Sequence, residues 1–460
     1  MIKFGTDGWR AVLDEEFNEK NVKKAVLAIA SYIYSKHEFN QEILIGYDPR
    51  EKADYFAELS AEILAELGFK VSLSLSIIPT PVLAYNALTK RACALMFTAS
   101  HNPANYLGLK YIPEYAGPAT SDITDKIMEY VDNPVIPAAS KYYPYKKENF
   151  FTEYYEHIKK IINFDKIKKL KTGIIFDGLY SASIGYFDKI LSDNGISFET
   201  LHMEHDINFG GMNPDPKPEQ LSELIKKVKS ETNSIGLAND GDADRFGVIN
   251  EAGEFVSPNE IIAIILKYLI KKGYKGSVVK TVGSSILIDN VAKALGVNVI
   301  ETAVGFKHVG QAMRENQVII GGEESGGLSI QGHIPEKDGI LANLLILEVM
   351  SDRDKSLVEL QQEIYEIGGK FYADRIDLKK SDSEEIRKIL EKIKEIKALG
   401  SYEVTDIDLK DGVKLMFGDK AKILARPSGT EPLLRIYFEA DSKEKIQELQ
   451  QELDKIEKIL

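Results

Sequence analysis

The sequence predicts an α/β protein of several domains, built on parallel sheets with clefts between the domains. Strand-like apolar runs alternate with amphipathic segments from the first residues to about residue 350, the pattern of βα units around parallel sheets. Several of these runs end in polar, glycine-rich loops, the edge at which open α/β sheets do chemistry. The chain of 460 residues also exceeds one core, since domains hold roughly 100–200 residues each.

The elements follow in order. Phe4-Gly-Thr-Asp-Gly-Trp-Arg10 is a glycine-rich turn with one arginine and says little alone. Residues 91–97 read as a strand hidden on both faces, so the polar Thr98-Ala-Ser100-His-Asn-Pro103 is a loop at its carboxyl edge that presents Ser100. The single cysteine, Cys93, lies within that strand; no intrachain disulfide is possible, and a buried thiol in a reducing compartment is expected. His202 and His205 have the spacing of metal ligands but no third ligand nearby, which reads as surface histidines.

Residues 234–238 read as the next such strand, and Asn239-Asp240-Gly-Asp242-Ala-Asp244-Arg245 follows it with carboxylates on alternate residues. Two carboxylates about 4 Å apart repel by roughly 4 kcal/mol at an effective dielectric near 20, and a hard divalent ion reverses that sign. Mg²⁺ is the leading candidate, with Arg245 as a clamp on a phosphate. Asp240, Asp242, Asp244 and Glu251 also fall in EF-hand register, but Arg245 stands where that loop needs glycine, and strands flank it where helices should. A solvated acidic turn is the remaining alternative.

Residues 318–320 lead into Gly321-Gly-Glu323-Glu-Ser325-Gly-Gly327, whose donors and acceptors suit sugar hydroxyls, although alone it also fits a structural loop. No Gly-Lys-[Ser/Thr] follows, so it is not a P-loop. His333-Ile-Pro-Glu-Lys337-Asp-Gly339 adds titratable groups before a nearly all-apolar helix. Arg426-Pro-Ser428-Gly429-Thr430-Glu431, with Arg435 beyond it, combines guanidiniums, hydroxyls and a flexible turn, the parts that bind phosphate. Alone it fits an ordinary turn equally. The lysine-rich stretches 166–171 and 388–397 alternate with apolar residues at helical spacing and read as solvated helix faces.

The break at Tyr142-Tyr-Pro-Tyr, the turn at Asn250-Glu-Ala-Gly and a hinge at Gly368-Gly369 divide the chain into 1–148, 149–252, 253–367 and 368–460. No repeat is visible residue by residue. A net charge of −13 argues against nucleic acid and anionic membrane as partners, so an anionic ligand needs a local basic cluster. Apolar stretches such as 261–266 and 340–350 fall short of a membrane span, and a soluble, cytoplasmic protein is expected.

Taken in this order, Thr98-Ala-Ser100-His-Asn-Pro103, Asp240-Gly-Asp-Ala-Asp-Arg245, Gly322-Glu-Glu-Ser-Gly326 and Arg426-Pro-Ser-Gly-Thr-Glu431 resemble the α-D-phosphohexomutase family. The resemblance spans nearly the whole chain. It implies four domains around a central cleft: three α/β domains with mixed, largely parallel sheets, and a C-terminal α+β domain with an antiparallel sheet. It implies a phosphoserine at Ser100, Mg²⁺ on Ser100, Asp240, Asp242 and Asp244, and a sugar loop at Glu323 and Ser325 with Lys307 and His333. The implied phosphate loop is Arg426, Ser428, Gly429, Thr430 and Arg435. His101 and Lys110 become proton-transfer and charge-stabilising candidates, and Arg10 and Arg245 line the cleft.

Phosphoglucomutases typically carry Gly-Glu-Glu-Ser and a downstream His…Glu-Lys-Asp-Gly, and both are matched here. Mannose-directed and glucosamine-directed members instead carry Gly-Glu-Met-Ser-Gly-His and Gly-Glu-Gln-Ser-Gly-His. Gly327 replaces that histidine, which moves the acid/base expectation to Lys337, with His333 beside it; Trp9 is a second departure. The implied reaction interconverts glucose 1-phosphate and glucose 6-phosphate through a glucose 1,6-bisphosphate intermediate. Phosphomannomutase, phosphoglucosamine mutase and a Mg²⁺-dependent sugar-phosphate phosphatase are the alternatives. The expected partners are small hexose phosphates, for a monomer or homodimer.

Overall fold

The first three sheets share one strand order. The first strand of each lies between the second and third and parallel to both, and the fourth returns antiparallel along the outer side of the third. In chain order these strands are Glu42–Tyr47, Lys70–Ser74, Cys93–Phe97 and Tyr106–Ile112 in the first sheet. They are Gly173–Asp177, Glu199–Leu201, Ser234–Asn239 and Phe246–Ile249 in the second, and Ser277–Thr281, Val299–Thr302, Val318–Glu323 and Gly327–Ile330 in the third. The duplication that the residues hide is therefore present in the hydrogen-bond order, three times over. This computed structural model describes residues 2–5, 7–36, 42–135, 142–379, 382–427 and 433–456.

Edge strands complete the first two sheets: Trp9–Val12 and Lys146–Glu148 in one, Phe255–Val256 in the other. The fourth sheet is antiparallel throughout, in the order Tyr372–Lys379, Leu433–Ala440, Ala421–Pro427, Val413–Met416, Asp406–Asp408, with helices Ser383–Glu395 and Lys443–Lys455. Three mixed α/β sheets and a C-terminal antiparallel sheet are the fold class the sequence predicts.

Burial explains the sequence patterns. Every residue of Cys93–Phe97, Ser234–Asn239 and Val318–Glu323 is buried, as strands covered on both faces require. Helix Gly339–Arg353 is buried from Gly339 to Met350, so it reads as apolar on all sides rather than amphipathic. One apolar cluster joins the first three sheets, from Leu44 and Met96 through Phe176 and Ile235 to Ile320 and Leu345, while the fourth sheet has its own core around Ile423, Ile436 and Leu449. No helix among the described residues is long and apolar enough to cross a membrane.

Two expectations need correction. The 166–171 stretch is not a helix face, because the helix there covers only Phe164–Ile167. His202 is not a surface histidine: it is clamped between buried Asp177 at 2.9 Å and Glu223 at 3.4 Å.

Candidate active site

In each repeat the functional loop joins the third strand to the antiparallel fourth, so the three loops emerge at equivalent sheet edges. Ser100 follows Cys93–Phe97 with φ of 52°, a left-handed conformation that costs a non-glycine residue about 1–2 kcal/mol. Arg50 holds it there. Its guanidinium donates to the carbonyls of Ser100 (2.6 Å), Asn102 (2.7 Å), Pro103 (2.7 Å) and Tyr106 (3.0 Å), while Nε donates to Asp48 at 3.1 Å. The Ser100 N–H donates to Thr98 Oγ1 at 2.8 Å. Arg50 follows Glu42–Tyr47 as Ser100 follows Cys93–Phe97, and a polar loop after a buried strand was the signal that could have found it.

Ser100 Oγ donates to Asp240 Oδ2 at 2.8 Å. Asp240, Asp242 and Asp244 are all fully buried, with ligand oxygens within 4.8 Å of one another. Gly241 makes the approach possible, since a Cβ there would meet the Ser100 carbonyl oxygen at 2.5 Å. From the first domain, Thr80 donates to Asp242 through its hydroxyl at 2.5 Å and through its backbone N–H at 2.9 Å. Burial, then Asp244 and Asp242, push the Asp240 carboxyl well above the usual carboxylate range. Burial also opposes the charge on Asp242, but Lys110 holds it below that range. Asp242 Oδ1 and Asp244 Oδ1 are buried without a hydrogen-bond partner. An all-oxygen set with orphaned lone pairs fits a hard divalent cation such as Mg²⁺.

Lys110 Nζ lies 2.8 Å from Asp242, 2.9 Å from Asp244 and 3.0 Å from Asp7. Burial would lower its pKa, but these carboxylates raise it, so it stays charged. Asp7 also accepts from Arg10 at 3.0 Å and lies 3.5 Å from Lys337, so one carboxylate ties three cations together. Asp7 sits in the turn that carried no chemical signal alone. Arg10 reaches on to Asn102 at 2.9 Å. The His101 ring is 3.4 Å from Ser100 Oγ and held neutral, its pKa lowered by burial and by the nearby Arg245 and Arg10.

Lys337 Nζ lies 3.2 Å from Asp244 and 3.6 Å from Glu336. Despite burial, Asp244, Asp7 and Glu336 raise its pKa, so it is an ammonium group in the resting site. Its stem fills the space beside Gly327: a Cβ on Gly327 would clash with Lys337 Cδ and lie 2.6 Å from Cγ. The missing side chain at 327 and the lysine at 337 are thus one arrangement. Glu336 is buried, and its carboxyl is pushed up to about 8 by burial, despite Lys337.

A cavity of about 420 Å³ opens over these groups, with walls from all four domains: Lys3, Asp7, Arg10 and His101; Arg245; Lys307, Glu323, Glu324, Ser325 and Lys337; and Arg435. Its cations outnumber its carboxylates, the local basic cluster that a chain of net charge −13 needs to receive an anion. Ser325 donates to Glu323 at 2.6 Å, and Lys307 reaches Ser121 at 2.9 Å. Arg426 and Arg435 are directly paired across neighbouring strands, each with a buried Nε lacking a partner. Like charges so placed repel unless an anion lies between them. Ser428, Gly429 and Thr430 lie outside the described residues.

His333 is the sugar-site candidate that the structure places elsewhere. The backbone turns at Ile330–His333, where His333 N donates to the Ile330 carbonyl, and the ring enters the junction of three domains. There it pairs with Asp338 at 2.9 Å and His157 at 3.1 Å and stacks near Tyr85.

Comparison with known proteins agrees with this geometry. Residues 1–135, 152–253 and 257–367 match the phosphoglucomutase/phosphomannomutase alpha/beta/alpha domains I, II and III, and residues 377–456 match its C-terminal domain. A "Phosphoglucomutase/phosphomannomutase" of Thermococcus kodakarensis is 29% identical, covering 97% of this chain and 96% of its own. A "Probable phosphoglucosamine mutase" of Pyrococcus abyssi is 32% identical over 99% of this chain and 97% of its own. The crystal structure of a "putative phosphomannomutase" from Thermus thermophilus superposes with a TM-score of 0.87 at 30% identity, covering 99% of this chain and 98% of that one. With all four domains matched, and a serine bonded to a three-aspartate loop beside a cleft that draws walls from all four, the chain belongs to the phosphoglucomutase/phosphomannomutase (α-D-phosphohexomutase) family and is a phosphohexomutase.

Proposed function

We propose that this phosphohexomutase interconverts glucose 1-phosphate and glucose 6-phosphate, with Ser100 as its phosphoryl carrier. The observation that carries the reading is Ser100 Oγ, 2.8 Å from Asp240 of the metal-competent loop and next to His101, which lines the cleft. Phospho-Ser100 gives its phosphoryl group to the 6-hydroxyl of glucose 1-phosphate: the Oγ–P bond breaks, the O6–P bond forms, and the hydroxyl proton passes to a base. The glucose 1,6-bisphosphate turns over, and its 1-phosphate returns to Ser100 Oγ. Asp240, Asp242 and Asp244 would hold Mg²⁺, which when bound would supply positive charge against the transferring group.

The chain's own residues do the rest. Lys110 and Arg245 stabilise phosphoryl oxygens, and Arg426 with Arg435 grip the phosphate that is not reacting, aligning the far hydroxyl. Lys337, held protonated, donates to the sugar oxygen that leaves when phosphate returns to Ser100, and regains its proton from the base that took it from the 6-hydroxyl. Glucose is favoured by the Gly-Glu-Glu-Ser loop and by the Lys337 stem that replaces a side chain at Gly327. Glucosamine is the second reading, favoured by relatives such as the Pyrococcus abyssi protein.

Steady-state kcat/KM for the 1-phosphates of glucose, mannose and glucosamine tests the choice. A higher value for either rival sugar overturns it. Ser100→Ala should abolish mutase turnover in a folded protein, and net release of inorganic phosphate by the wild type would indicate a phosphatase instead.

A further inference from the structure

Strand alternation places Lys422 and Arg426 on one face of Ala421–Pro427, and Arg435 and Glu439 on the same face of Leu433–Ala440. The cross-strand partners are Lys422 with Glu439 and Arg426 with Arg435. At about 3.3 Å per residue, these two pairs stand roughly 13 Å apart along one stiff ribbon. Arg435 of the arginine pair lines the cleft, and the other pair is buried against the third domain.

That buried end is tightly bonded. Lys422 donates to the carbonyls of Val282, at 3.3 Å, and Ser284, and pairs with Glu439 at 3.3 Å. Glu439 accepts from the Ser285 hydroxyl and from Ile286 N at 3.1 Å. On its other side the same 281–285 segment holds the sugar loop: Thr281 Oγ1 donates to Glu324 Oε2 at 2.6 Å, and Ser284 Oγ lies 3.4 Å from that oxygen. Lys422 is 3% exposed and Glu439 6%, so separating the ribbon from the segment would strand buried charges. A displacement of the ribbon is therefore passed to the segment.

We propose that Glu439 and Lys422 are positioning residues that couple phosphate capture by the fourth domain to the shape of the sugar loop, through residues 281–285 and Glu324. The coupling rests on the assignment of residues 322–325 as the sugar loop.

The test uses the full-length enzyme, the hexose 1-phosphate it turns over best, and inorganic phosphate as a competitive probe of the arginine pair alone. Glu439→Gln should raise KM about tenfold and leave the phosphate inhibition constant within twofold. A merely structural loosening of the fourth domain raises both constants together, and that result overturns the proposal. Ser285→Ala removes one hydroxyl from the same contact and should give a smaller shift of the same kind, which keeps the test valid if Glu439→Gln does not fold. Glu324→Gln should raise KM, and adding Glu439→Gln should raise it no further; multiplied effects refute the coupling. An unchanged KM in Glu324→Gln alone refutes the sugar-loop assignment, and the proposal with it.

Discussion

Gly327→Ala adds one methyl group at a residue that carries no charge and bonds to no substrate. The added Cβ would clash with Lys337 Cδ and lie 2.6 Å from Cγ, against about 3.5–4.0 Å for carbon atoms in comfortable contact. The lysine stem must withdraw by about 1 Å. Its ammonium then leaves a site in which Asp244 lies at 3.2 Å and Asp7 at 3.5 Å. At an effective dielectric near 20, lengthening one such pair by about 1 Å weakens it by about 1 kcal/mol, and overpacking adds about 1–3 kcal/mol.

The functional effect should exceed the loss of stability. A displacement of about 1 Å in a reacting group costs on the order of 10²-fold in rate. A coupled assay should show kcat lower by about that factor, with KM within a few-fold, in a protein that still unfolds cooperatively. Lys337→Met should lose at least as much, and the double variant no more than Lys337→Met alone, because Gly327 acts through the lysine. The reasoning fails if Gly327→Ala folds and keeps kcat within threefold of wild type, or if the two losses multiply.

Chelation of divalent cations should abolish turnover and excess Mg²⁺ restore it, while Asp240→Asn should raise the Mg²⁺ requirement by at least about tenfold, as read by titration calorimetry and activity. Arg435→Gln removes a charge-assisted partner, worth about 1.5–3 kcal/mol, from the phosphate, so KM should rise roughly 10- to 100-fold and become less sensitive to salt. Glu336 has a folded value of about 8 against an ordinary 4.5; the folded state binds that proton more tightly, so its stabilisation is complete below about pH 4.5 and is lost as pH rises through 8. Glu336→Gln should thus gain stability relative to wild type as pH rises from about 5 to about 8 in thermal unfolding, and an unchanged difference would count against a buried, protonated Glu336.

The sequence displays loops better than it displays contacts. Ser100, the three aspartates and Glu323 were legible because each follows a buried strand, and a chain leaving a covered sheet must become polar at its edge. Arg50 and Asp7 were not, because their importance lies in partners distant along the chain: Arg50 reaches Ser100 and Asp7 reaches Lys110 and Lys337. His333 misled for the opposite reason, since nearness to Lys337 in sequence does not decide which side of a turn a ring occupies. The threefold strand order was invisible because it resides in backbone pairing, which many apolar sequences satisfy.

The domains are joined by two different kinds of contact, and the difference bears on how the enzyme works. The first three share an apolar cluster, and their loops touch backbone to backbone where glycine permits it: Gly241 lies against the Ser100 carbonyl, and Gly339 lies against Arg245, with its N–H bonded to Ala243. Such packing has few alternative arrangements, so the serine, the aspartates and Lys337 form one rigid unit. The fourth domain keeps its own core and meets the third through polar contacts: Lys422 and Glu439 on residues 282–286, Asp411 on Val304 N, and Lys414 on Glu301. Polar seams permit relative domain motion more readily than apolar ones, but the buried Lys422–Glu439 contact carries residues 281–285 along with any such motion. The proposed bisphosphate, which must turn over between two half-reactions, needs its chemical end fixed and its grip on the distal phosphate releasable. Rigid apolar union on one side of the cleft and charged docking on the other meet both requirements.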